Sequence, residues 1–108
     1  MSSFSPYAKT GALSVGTAST SAAIPLPGSA VGWSHEVLVT NAGTNTVFVA
    51  FGGSGVTAAV PVAGTPADGV AVAAGQTQAF SLNASSYIAA IASTGTNLVY
   101  FTAGVGGA

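Results

Sequence analysis

The sequence predicts an all-β protein, an antiparallel β-sandwich or jelly roll of about eight short strands. Three observations point there. Only one Lys or Arg and two Asp or Glu occur in 108 residues, so the usual residues of an exposed helix face are missing. Glycine, present 15 times, interrupts each stretch before a 3.6-residue period completes three turns. Val and Thr dominate the runs that remain, and their branched β-carbons suit a pleated surface. These runs recur roughly every 8–12 residues between turn signals, as in a sandwich or small barrel.

Residues 1–10 read as a polar arm with Phe4, Pro6 and Tyr7 as anchors, ahead of one domain over 11–103 and a flexible Gly-rich tail over 104–108. Ala12–Val15 and Ala22–Leu26 are weak strands, the second stopped by Pro25 and Pro27. Glu36-Val-Leu-Val-Thr40 and Thr46-Val-Phe-Val-Ala-Phe51 are the clearest strands. Between them Asn41-Ala-Gly-Thr-Asn45 reads as a hairpin loop, because Asn and Gly tolerate positive φ. In the second of these strands Val47, Val49 and Phe51 share one face and Phe48 and Ala50 the other. Both faces are apolar, so a second layer is expected over it, from another chain or a loop.

After Gly52-Gly-Ser-Gly55, Val56–Val62 is a short strand candidate that Pro61 confines to an edge. Gly64-Thr-Pro-Ala-Asp-Gly69 is a turn, and Val70–Ala73 leads into a second turn at Ala74-Gly75-Gln76. Thr77–Leu82, Tyr87–Ala92 and Asn97–Thr102 are the last strands, separated by turns at Asn83-Ala-Ser-Ser86 and Ser93-Thr-Gly-Thr96. No repeat of 20–50 residues marks a solenoid or propeller.

Charge excludes several functions. Lys9, Glu36 and Asp68 make up the 3% of charged residues, against about 25% in an ordinary domain. One basic residue cannot neutralise a phosphate backbone or hold an anionic membrane, so neither nucleic acid nor membrane is an expected partner. Mean hydropathy is +0.65, but Gly, Thr, Ser and Asn break every window of spanning length. The opening residues carry no apolar run of signal-peptide length, so the chain is expected to be made and kept in the cytosol. Without cysteine there is no disulfide framework or thiolate site.

No catalytic motif emerges, and no enzyme, cofactor or metal is expected. His35 and Glu36 are adjacent, so on a strand they point to opposite faces and form no dyad. Asp68 lies far along the chain, leaving a metal short of ligands. Gly52-Gly-Ser-Gly55 fails as a nucleophile elbow because Val56 stands where Gly is needed, and no Gly-Lys-Ser/Thr follows to make a phosphate loop. Asn83-Ala-Ser85 is a glycosylation sequon by letter and a turn by context. Trp33, between Gly32 and Ser34, is the aromatic best placed for exposure; Phe48, Phe51, Phe80, Tyr87, Tyr100 and Phe101 read as core. Phe4, Tyr7, Trp33 and His35 are therefore the interface candidates.

So little charge favours association. With strands apolar on both faces, it points to a homo-oligomer, a trimer being favoured because symmetry closes the hydrophobic surface. Dilution is then expected to yield no stable folded monomer.

Three segments carry a family resemblance: Val37–Gly52 with its N-x-G-T-N connection, Val72–Leu82, and Tyr87–Thr96 followed by a strand and a Thr-Ala-Gly-Val-Gly end. Over residues 31–106 the chain resembles small virion proteins of tailed bacteriophages, namely head decoration or cement proteins, although its charge is lower than in many of them. The resemblance implies a β-sandwich or jelly roll, often oligomeric, that sits on the capsid surface and clamps neighbouring major capsid subunits. It transfers no catalytic residue. A tail or fibre module binding a receptor or glycan is the alternative. Ice binding is a third idea, from Thr44-Asn-Thr46 and Thr94-Gly-Thr96, but those triplets fall in turns.

Overall fold

In a computed structural model of the chain, residues 5–24, 36–67, 69–82 and 85–105 are described. Among them are eight strands and no helix: β1 (Ser5–Val15), β2 (Thr20–Ala23), β3 (Glu36–Asn41), β4 (Val47–Gly52), β5 (Val70–Val72), β6 (Thr77–Ser81), β7 (Tyr87–Ala92) and β8 (Asn97–Val105). They form two four-stranded antiparallel sheets, ordered β1-β8-β3-β6 and β2-β7-β4-β5. The pairings β1·β8, β2·β7, β3·β6 and β4·β5 are those of one long hairpin rolled onto itself, and β8·β3 and β7·β4 close the roll. That is the jelly-roll order.

Alternation builds the core. Val37 and Val39 on β3, Val47 and Val49 on β4, Ile88, Ala90 and Ala92 on β7, and Val99, Phe101 and Ala103 on β8 all point between the sheets and are buried. Each fully buried Val or Phe contributes on the order of 1.5–3 kcal/mol. Phe51 of β4 meets Phe80 of β6 across the gap, with ring centroids 5.2 Å apart and planes tilted by 47°. Short Ala and Val side chains let the sheets approach with little volume to fill.

Four sequence expectations are corrected. Residues 36–51 do not form a hairpin, because β3 and β4 belong to opposite sheets and Asn41–Asn45 is a corner between them. Both strands still turn their valines inward, as crossing the core requires. Residues 5–10 are not an arm but the first half of β1, since Ser5, Pro6 and Thr10 pair with Val105, Gly104 and Thr102. The same pairing makes 104–105 strand instead of tail. Finally, 56–62 is no strand. Pro61 cannot donate to a ladder, and the segment instead crosses the outer face of the second sheet, with one isolated bridge from Val62 to Thr65.

That crossing accounts for the second apolar face of β4. The Ala58 N–H donates to Ser19 Oγ (3.0 Å), tying the segment to the turn between β1 and β2. Gly69 comes against both Phe48 and the Ala59 carbonyl, and Ala89 in the middle of this outer face is fully buried. The cover is the chain's own loop.

Candidate interaction surface

Three places were candidates for function: the corner cluster at one end, a cleft at the other, and the outer face of the first sheet.

Four connections that cross between the sheets (16–19, 42–46, 73–76 and 93–96) gather at one end of the roll. Two buried amides tie together the corners at 42–46 and 93–96 and the end of β5. Asn41 Nδ2 donates to the carbonyls of Asn45 (2.8 Å) and Val72 (2.9 Å), and the Gly43 N–H donates back to Asn41 Oδ1 (3.0 Å). Asn97 Oδ1 accepts the N–H groups of Thr44 (3.1 Å) and Asn45 (3.0 Å), while its Nδ2 donates to the Thr94 carbonyl (3.3 Å). Two corners thus share the run Gly-Thr-Asn, at 43–45 and 95–97. Gly43 has no room for a β-carbon against Asn97, and Gly95 needs positive φ (73°) with Asn45 Oδ1 where a β-carbon would stand. Both buried amides are spent on the backbone, so together they form a structural clasp.

An open cleft of about 640 Å³ lies near the end of β4 and the start of β5, lined by Phe51, Val56, Val70 and Leu82 with Thr57 and Ser85 supplying hydroxyls. None of the described residues that line it is an acid, a base or a thiol.

The outer face of β1-β8-β3-β6 is the surface with a composition of its own. Registers place Ala12, Tyr100, Thr40 and Thr77 in one row across the four strands, and Thr10, Thr102, Leu38 and Ala79 in the next. Leu98 stands beside Ser14 at the corner end. Leu98 and Tyr100 are 40% and 39% exposed, a high value for large side chains in the middle of a sheet. Thr10 pairs its hydroxyl with that of Thr102 (2.6 Å), and Thr40 with that of Thr77 (2.8 Å). Covering the face therefore strands fewer hydroxyls than its threonine count implies. Among the described residues, the charged side chains of this sheet are Lys9 and Glu36, both toward the end where β3 begins. Glu36 is half-buried, and its Oε1 is buried without a hydrogen-bond partner among the described residues.

Of the four interface candidates, Phe4, Trp33 and His35 lie outside the described residues, and Tyr7 lies in β1. Asp68 is also outside them. No three His, Cys, Asp or Glu side chains come together among the described residues. Nor is any described helix long and apolar enough to cross a membrane. The remaining aromatics do not converge. Phe101 is core, Phe51 and Phe80 pack against it, Phe48 lies under the crossing loop, and Tyr100 is on the opposite sheet. Sequence reading missed Leu98 and Tyr100 as surface residues. The period-two run Asn97-Leu-Val-Tyr-Phe-Thr102 separates the two faces, but both are apolar and nothing local says which turns inward.

The fold and this face define a jelly-roll domain with a sheet surface that carries little charge among the described residues. No protein-family model and none of the curated proteins matches the chain.

Proposed function

We propose that this chain is a structural protein of a virus particle, a decoration or cement protein that binds the outer capsid surface and stabilises the shell through contacts with the major capsid protein. The observation that carries the reading is the outer face of β1-β8-β3-β6, where Leu98 and Tyr100 are exposed beside half-buried Leu38 and paired threonines, and where the charged side chains among the described residues are Lys9 and Glu36. Interface centres are depleted in charge and enriched in aromatic residues, and a pre-formed sheet loses little entropy on docking. The pattern resemblance of 31–106 to phage virion proteins, and the jelly-roll order that capsid-associated domains often use, favour the same reading. A ligand that binds only the assembled shell raises the free energy of taking it apart. The role is binding, not catalysis.

The alternative, a tail or fibre module that binds a receptor or glycan, needs aromatic rings converging on one platform. The described rings are divided between the two sheets and the core, which favours the first reading. Particle composition tests the proposal. Gradient-purified virus particles from cultures producing the chain should contain it in amounts commensurate with capsid subunits, and particles lacking it should release their genome at lower temperature. Particles free of the chain, or equal heat resistance without it, would refute the reading.

A further inference from the structure

We infer that the edge of β6, which no described strand pairs, pairs with β6 of a second copy, joining two first sheets into one eight-stranded sheet across a two-fold axis. A sheet edge offers unpaired backbone groups, and proteins usually blunt it with proline, charge, irregular register, short length or a covering segment. Three of the four edges here are blunted. β1 carries Pro6, Lys9 and a shift of register between Pro6 and Thr10. β2 has 4 residues, and the turn before it is tied down by Ala58 through Ser19. β5 has 3 residues, and its Ala71 carbonyl already accepts from the Gln78 side chain (3.4 Å). β6, Thr77-Gln-Ala-Phe-Ser81, has regular register and neither proline nor charge.

The hydrogen-bond alternation says which groups are free. Asn41 N–H donates to the Gln76 carbonyl (3.0 Å), so Gln78 and Phe80 turn their backbone groups toward β3, and Thr77 and Ala79 turn theirs to the open edge. Thr77 and Ala79 are exposed. An antiparallel copy centred on Ala79 sets Ala79 opposite Ala79, exchanging two N–H···O bonds, and Thr77 opposite Ser81. All side chains that meet on the outer face are then small and uncharged, so nothing repels the copy. The strand is complementary to itself, which is what a two-fold contact needs. This inference stands apart from the virion reading, because it is tested on the free chain.

Sedimentation velocity on the purified full chain is the test, at concentrations up to about 100 µM. The wild type should sediment at twice the chain mass of 10.2 kDa. Ala79→Pro removes only the N–H that faces the edge, and Ala79→Lys places like charges opposite one another; each should sediment as monomer with an unchanged far-ultraviolet circular dichroism spectrum. If the proline variant unfolds, the lysine variant decides. A wild type that stays monomeric overturns the inference, and so does any oligomer, including a trimer, that survives Ala79→Lys.

Discussion

Asn97 accepts the backbone N–H of Asn45 at 3.0 Å, joining two corners 52 residues apart in the chain. This bond, with its neighbour to Thr44, turns what would be a local hairpin loop into the closure of a two-sheet roll. The corner between β3 and β4 is set by the start of β8, and β8 is also the strand that pairs with β1 and β3.

Asn97→Ala leaves the Thr44 and Asn45 N–H groups without their acceptor in a part-buried site. The expected loss is about 2–3 kcal/mol, or a fall in Tm of roughly 10–20 °C for a domain of this size. Thermal unfolding followed by circular dichroism checks it. An unchanged Tm would mean that water replaces the side chain and the clasp is not closed.

Gly43→Ala forces a β-carbon against Asn97, so about 1–3 kcal/mol is expected to be lost. Gly53→Ala is the control, because nothing lies within 4 Å of its β-carbon position. It should change stability by less than about 1 kcal/mol in either direction. Urea midpoints of the two variants measure the difference.

Ser19→Ala removes the acceptor of the Ala58 N–H. About 1 kcal/mol is expected to be lost, mostly as local opening of the crossing segment. Hydrogen exchange should accelerate at Ala58 and leave Val39 and Val99 protected. Equal acceleration in all three would show that the segment opens only with the whole domain.

Much of this architecture was legible in the chain because β residues alternate. β3, β4, β7 and the first part of β8 follow runs of Val, Ile and Phe bounded by turn residues. What was not legible depends on distant partners. Asn41-Ala-Gly-Thr-Asn45 suits a hairpin as well as a corner, and only Asn97 and Val72 distinguish the two. Residues 5–10 lack a strong strand pattern and are strand because β8 pairs with them. The outer face escaped notice for a related reason. Leu98 and Tyr100 alternate with Val99 and Phe101, and hydrophobicity alone does not choose between them.

Leu98→Asp and Tyr100→Asp test that face as a binding surface. Both side chains are partly exposed on its outer side, so the folded domain should persist with a loss of about 1 kcal/mol or less. Co-sedimentation with particles stripped of the chain should fall at least tenfold for the double variant. Binding equal to wild type would move the contact elsewhere on the domain.

The most direct measurement is a cryo-electron microscopy map of the intact particle. The account predicts jelly-roll density on the outside of the shell, with the Leu98–Tyr100 face of β1-β8-β3-β6 turned toward a neighbouring subunit. A map in which that face looks into solvent, or in which no density fits the domain, would contradict it.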